Sequence, residues 1–228
     1  MRNNCTPDDK DHITAHMKPL FPHLALLLAM LPLRAVGQSY CHATESDGLL
    51  IITLPDHCTL EFTDRRPSSD ALLCIPAAFT TPEGTIQGAY TIAGQMHGRY
   101  NGHTKVSIAG STFSLGSTFT TANGFQQMCL VRNRQPIHFR DTSRYVRRAL
   151  CKSSERGPAF IVQSLKPMTM TAFARLLSRR VHSAVYTDMG SYGFGWYHTS
   201  PTPTYLSTLY FYKQNRQTNW LVCRKNAE

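Results

Sequence analysis

One stretch restricts the fold more than any other. Residues 160–187 read as strand, helix, strand, in a chain whose other apolar runs are short and β-like. Phe160 to Leu165 is a continuous apolar run, too short for a helix. Pro167 breaks it, and Thr169 or Thr171 can cap a helix beyond the break. Met170, Phe173, Ala174, Leu177 and Val181 then recur at helical spacing on one face, with Arg175, Arg179 and Arg180 mostly elsewhere. Ser183 to Thr187 returns to β character. A βαβ unit near 160–188 with parallel strands is the expectation.

The rest of the chain adds strands. Leu49–Leu54, Thr59–Thr63, Thr85–Ala93, Phe125–Arg132 and Tyr145–Lys152 are apolar or alternating runs bounded by Gly, Pro and Asp. Asp70 to Phe79 contains Pro76, which cannot donate to a ladder, so it is an edge strand or breaks there. Lys105 to Phe119 reads as a hairpin, Trp196 to His198 as a short strand, and Leu206–Tyr212 with Trp220–Arg224 as a last hairpin. The fold class is α+β, with mixed β-sheets and few helices. No repeat, heptad or low-complexity tract interrupts 38–228, which reads as a single domain.

The first 37 residues belong to a different class. Leu20 to Leu33 is apolar, Lys18 precedes it, and Ala35-Val36-Gly37 is a small-x-small cleavage pattern. The run is shorter than the ~20 residues that cross a bilayer, and Pro22, His23 and Pro32 interrupt it. Residues 1–37 are expected to be a signal peptide and leader, with Met17 as an alternative start. The expected location is therefore the periplasm, the cell surface or the medium, with no transmembrane segment after cleavage. Six of seven cysteines come after the leader, with none in a CxxC pair, so one or two disulfides are expected and a zinc site is not. Past residue 37 the chain holds 20 Lys+Arg against 11 Asp+Glu. That surplus suits an anionic envelope polymer. The basic residues are scattered and no nucleic-acid-binding signature accompanies them, so nucleic acid is not an expected partner.

Chemistry is expected where the second strand of the βαβ unit ends, because ligands bind beyond the carboxyl ends of parallel strands. Asp188 sits there, ahead of Met189-Gly190-Ser191-Tyr192-Gly193-Phe194-Gly195-Trp196. The glycines leave amides free to donate to an anion, and the aromatics can stack on a sugar. None of the ten histidines lies in a Ser-His-Asp or HExxH context; His97, His103 and His138 matter only if they approach Asp188.

Four segments carry a resemblance. They are Arg147-Arg148-Ala149-Leu150-Cys151, Phe160–Leu165, Pro167-Met168-Thr169-Met170-Thr171, and Ala184-Val185-Tyr186-Thr187-Asp188-Met189-Gly190-Ser191. Together they resemble the C-terminal half of the phosphodiester glycosidase family (N-acetylglucosamine-1-phosphodiester alpha-N-acetylglucosaminidase-like), in a divergent, bacterial-type form. That family's pattern is an Arg-x-Ala-aliphatic-Gly strand, an aliphatic strand, a Gly-Met-Thr-Leu helix start and a strand ending Leu-Asp-Gly-Gly-Gly-Ser. The resemblance covers roughly residues 74–197 and is sharp over about 145–191. It departs from the pattern at Cys151, at Met189-Gly190-Ser191, and at Ile75–Phe79, where the family carries an Asn.

The resemblance implies a hydrolase that cleaves the glycosidic bond of a sugar-1-phosphodiester or related envelope glycan. The alternative is a catalytically inactive glycan-binding module using the same groove. Arg147 and Asp188 are the implied catalytic residues, and Gly190, Ser191, Tyr192 and Trp196 the implied substrate-binding ones. Arg148 should alternate to the opposite strand face from Arg147. A guanidinium fork suits a phosphodiester, and a carboxylate suits an oxocarbenium-like transition state. Glu83, Asp141 and Glu155 are candidates for a second carboxylate. No cofactor or metal is expected, and the expected partner is a phosphorylated or anionic glycan.

Overall fold

The computed structural model describes residues 39–189, 194–206 and 218–226. These residues belong to one compact unit, Gly37–Glu228. The leader lies outside them, as does the expected Leu206–Tyr212 strand beyond its first residue.

The strands are β1 (His42–Ser46), β2 (Leu49–Thr53), β3 (Cys58–Thr63), β4 (Leu73–Ile75), β5 (Tyr90–Ile92), β6 (Gln95–His97), β7 (Thr104–Ala109), β8 (Thr112–Gly116), β9 (Gly124–Gln127), β10 (Cys129–Arg132), β11 (Gln135–Pro136), β12 (Arg148–Lys152), β13 (Ala159–Ser164), β14 (Ser183–Tyr186), β15 (Trp196–His198), β16 (Pro203–Tyr205) and β17 (Trp220–Lys225). An α-helix, α1 (Met170–Ser178), joins β13 to β14. The described strands form three sheets: β1-β2-β13-β12-β14-β10-β11, β16-β15-β4-β17-β3, and β6-β5-β9-β7-β8.

The expected mixed sheets are corrected: the described strands pair antiparallel throughout. Strand, helix and strand succeed one another as the pattern predicts. However, β13 and β14 are not hydrogen-bonded to each other, because β12 lies between them and runs antiparallel to both. Two strands on either side of a common antiparallel neighbour share a direction, so the helix still connects strands of equal sense.

The period-2 alternation of β12 divides its side chains between two cores. Leu150 enters the central core with Ile52, Phe62, Phe125, Ile161, Val185 and Leu221. Ala149 and Cys151 face the other way, onto Phe173, Ala174 and Leu177 of α1. The helix is capped by Thr169, whose side chain accepts from the Ala172 amide at 3.2 Å. Thr171 takes another task, accepting from the Phe139 amide and donating to the Phe139 carbonyl. β4 stops at Ile75, immediately before Pro76, as its missing donor requires. Phe125 to Arg132 divides into β9 and β10, which join different sheets.

The expected disulfides are absent among the described residues: all six cysteines there are free thiols. Cys41, Cys58 and Cys223 share the central core, and burial pushes the Cys41 thiol up to about 12.

Thr169→Ala should cost about 1 kcal/mol of stability by removing a helix cap. Phe173→Ala should cost about 3–5 kcal/mol by leaving a cavity between α1 and the seven-stranded sheet. Denaturant unfolding of both variants checks the order.

Candidate functional site

Asp188 is delivered by the last hydrogen bonds of β14. The Tyr186 amide donates to the Met128 carbonyl, the Thr187 amide to the Arg148 carbonyl, and the Asp188 amide to the Ala77 carbonyl at 3.2 Å. The Ala77–Ala78 segment that receives it is itself tied down. Gln127 Nε2 donates to the same Ala77 carbonyl at 3.1 Å. Asn219 clamps Ala78 from both sides, its Oδ1 accepting from the amide at 2.7 Å and its Nδ2 donating to the carbonyl at 3.1 Å. The Asn219 Nδ2 also reaches Thr80 Oγ1. The Ile75–Phe79 segment, which lacks an asparagine of its own, is thus met by one from the other end of the chain. Asp188 itself is only 4% exposed.

Arg148, which opens β12, and Arg147, just before it, do separate to opposite faces. Arg147 lies on the helix side, pinned by four contacts. Its Nε donates to the Met168 carbonyl, its Nη2 to the Ser143 carbonyl at 2.8 Å and to Asp141 Oδ2 at 3.4 Å, and its guanidinium sits 5.1 Å from the Tyr145 ring centre. Asp141 is therefore the candidate second carboxylate that meets Arg147. Its carboxyl is held below the ordinary range chiefly by the Ser143 amide, with a further contribution from Arg147.

Arg148 points inward and is fully buried. Its Nε donates to Gln163 Oε1 at 2.9 Å, across the β12–β13 pair in which these two residues face each other. On its other side stands Thr187, also fully buried, whose hydroxyl makes no hydrogen bond within the described residues. A buried hydroxyl left in this way is uncommon in a structural core.

Tyr186 links these groups. Burial pushes its phenol above the ordinary range; a hydrogen bond from Arg147 and the charges of Arg147 and Arg148 oppose that, and the Asp188 charge adds to it. Arg147 thus contacts the Tyr186 hydroxyl directly, while Asp188 and Arg148 act on it through their charge alone. The Tyr186 ring lies 5.7 Å from Phe79, and Phe79 lies 6.2 Å from the His103 ring. His103 approaches this cluster, while His97 stacks on Tyr90, 5.1 Å away. Glu83 is fully exposed, its carboxyl held down by Thr81, and Glu155 belongs to a different cleft.

Of the candidate substrate-binding residues, Gly190, Ser191 and Tyr192 lie outside the described residues. Trp196 lines a separate cleft of about 300 Å³ with Arg66, Pro67, Ser69, Phe194, Pro203 and Tyr205. The Phe194 ring stands 5.6 Å from both Trp196 and Tyr205, and Trp196 Nε1 donates to the Ala71 carbonyl. Among the described residues no three His, Cys, Asp or Glu side chains are placed to hold a metal ion. No described helix is long and apolar enough to cross a membrane.

Sequence reasoning missed Tyr186, Gln127, Gln163 and Asn219. Tyr186 and Gln163 share one signal, a polar group inside a mostly apolar strand, while Gln127 follows another glutamine in β9. Asn219 had none, because its partner lies 141 residues away.

Burial lowers the His103 pKa from 6.5. The unfolded chain therefore binds the proton more readily, and stability rises with pH through the region just below 6.5. His103→Gln should flatten the decline in melting temperature as pH falls through that window, read by scanning calorimetry from about pH 7 to pH 5.

No family profile matches the chain, and no curated protein matches it. Among solved structures, the chain is similar to the catalytic domain of zebrafish N-acetylglucosamine-1-phosphodiester alpha-N-acetylglucosaminidase auto-inhibited by its pro-peptide, with a TM-score of 0.54 and 11% identity over 82% of each chain. At that identity the likeness is one of fold, and it is the fold to which the Arg147–Ser191 motifs point.

Proposed function

We propose that this protein is an exported hydrolase that cleaves the glycosidic bond of a sugar-1-phosphodiester or a related envelope glycan. The observation that carries the reading is the pairing of Arg147 with Tyr186 at the end of β14, where Arg147 hydrogen-bonds the Tyr186 phenol and the charge of the buried Asp188 acts on it. This arrangement sits in a fold similar to that of a glycosidase catalytic domain.

The chemistry assigns a task to each group. Cleavage at an anomeric carbon passes through an oxocarbenium-like state, which a carboxylate stabilises directly or by orienting water. Asp188 takes that role. Its burial strengthens its field on a nearby cation, because little water screens it. Arg147, held in place by Met168, Ser143 and Asp141, supplies a guanidinium for the phosphodiester oxygens. Phosphate leaves as a weak base, so it needs less proton donation than an alkoxide would. Gly190 and Ser191, two and three positions past Asp188, are the residues proposed to bind the saccharide. The leader at residues 1–37 directs export, and the net positive charge favours an anionic glycan partner.

Asp188→Asn should lower turnover of a sugar-1-phosphodiester by about 10²–10³-fold, with little change in melting temperature. Turnover by the variant equal to that of wild type would remove Asp188 from the chemistry.

A second reading, a glycan-binding module without catalysis, draws on the aromatic cleft. Phe194 stacks on Tyr205 and tilts against Trp196 beside Arg66, and Tyr205 is 55% exposed. Affinity electrophoresis in an anionic glycan gel separates the two. Under the binding reading Trp196→Ala abolishes retention while Asp188→Asn does not; under the hydrolase reading turnover persists in Trp196→Ala.

A further inference from the structure

A cleft larger than the aromatic one lies away from Asp188. It measures about 510 Å³, a size that admits a small ligand. Its walls come from the β7–β8 hairpin, the β10–β11 turn, the start of β14 and the chain just after β12. Ser183 opens β14, whereas Asp188 lies beyond its far end, so five extended residues separate them by about 16 Å.

The cleft is cationic. Arg132, Lys152, Arg156 and His182 line it, with Glu155 as the acidic member. Lys152 is the most informative of these. It is 5% exposed and projects toward the central core from the last position of β12. Its Nζ donates to the Phe113 and Glu155 carbonyls at 2.8 and 2.6 Å and lies 5.3 Å from the Phe113 ring centre. An ammonium has three donors, so one remains. Among the described residues the ion pairs within 4.0 Å engage Arg147, Arg180 and Arg224, and none engages Arg132, Lys152 or Arg156. The Glu155 charge and the Phe113 ring help to hold this cation, but no carboxylate lies within 4.0 Å of it among the described residues, and a buried cation is costly unless an anion completes its shell.

The rim is also built. Asn133 and Arg134 both adopt left-handed backbone, with φ of 50° and 63°, which closes the turn between β10 and β11. The Arg134 amide donates to the His182 carbonyl, locking that turn to the strand that begins at Ser183. Arg132 Nη2 is braced by Thr104 Oγ1 at 3.3 Å. Hydroxyls of Ser114 and Ser183 stand among the cations, while the Thr112 hydroxyl donates to the Gly157 carbonyl. Three fixed positive charges against the Glu155 carboxylate leave a surplus of two, which matches a phosphate monoester near neutral pH.

We propose that this cleft is a binding site for a phosphate monoester or pyrophosphate group, separate from the Asp188 cluster. Lys152 is its buried anchor, and Arg132 and Arg156 close over the anion. The group arrives either on a free sugar phosphate or at the phosphorylated end of a glycan polymer. This site does not depend on the hydrolase reading, since none of its residues touches the Asp188 cluster.

Isothermal titration of the chain from Gln38 with inorganic pyrophosphate tests it. Wild type should bind, and raising salt should weaken the binding. The Arg132→Ala/Arg156→Ala double variant should bind at least tenfold more weakly, as expected for the loss of two charged hydrogen-bond donors. Glu155→Gln should bind more tightly, and Asp188→Asn should bind as wild type does. Arg132 and Arg156 are exposed, so the double variant should retain the wild-type melting temperature; Arg156→Gln alone provides the same test with less change. Glucose 1-phosphate and a phosphorylated mannan, titrated in parallel, distinguish the free ester from the polymer end, with glucose as the uncharged control. Absence of pyrophosphate and glucose 1-phosphate binding at millimolar concentration overturns the proposal. So does equal affinity in wild type and the double variant.

Discussion

Arg148 is a cation that never loses its charge, placed where no water reaches it. Everything near the end of β14 is arranged around that fact. A buried guanidinium must be met by oriented acceptors, or the fold loses several kcal/mol. Gln163 meets it from the adjacent strand, and that pairing is set by the β12–β13 register. A shift of one residue would exchange Arg148 for Arg147 on the inner face and turn Leu150 out of the central core. The register thus fixes which arginine faces the central core, and with it the position of Tyr186 on β14 and of the residues that follow it.

The site is built by convergence rather than by a single loop. The carboxylate lies two residues past β14, the arginines stand at and just before the start of β12, and β9 supplies Gln127 to the carbonyl that receives the Asp188 amide. Asn219 holds the facing segment from the end of the chain. These groups sit on strands of all three sheets or on the segments that adjoin them. Such a site is rigid because each support is a hydrogen bond between elements that the core already fixes. The cationic cleft uses the other end of the same strands, with Lys152 closing β12 and Ser183 opening β14. One pair of antiparallel strands therefore has an acid-and-arginine cluster at one end and a cationic hollow at the other.

Much of this was legible in the sequence, and the reasons are local. The helix face from Met170 to Leu177 comes from spacing alone, and its cap from a threonine before an apolar run. The stop at Pro76 comes from one missing donor. The separation of Arg147 from Arg148 comes from the period of a strand. The sequence could not convey which of the two arginines faces the central core. Both sides of β12 are covered, one by the helix and one by the other sheets, so burial gives no sign of direction. Trp196 illustrates the same limit. It stands eight positions after Asp188, yet pairs with Cys74 and lines a different cleft.

By itself, then, the sequence determined the elements, the faces of the helix and strands, and the position of a carboxylate just past a strand. Those properties rest on interactions within a few residues. Only the tertiary structure decided that β12 would lie between β13 and β14, making both of its pairings antiparallel. It alone brought Asn219 to Ala78, Asp141 to Arg147, and Arg132 to Lys152 and Arg156. Strand order depends on which apolar faces bury best against one another across the whole domain, and no local pattern encodes that sum.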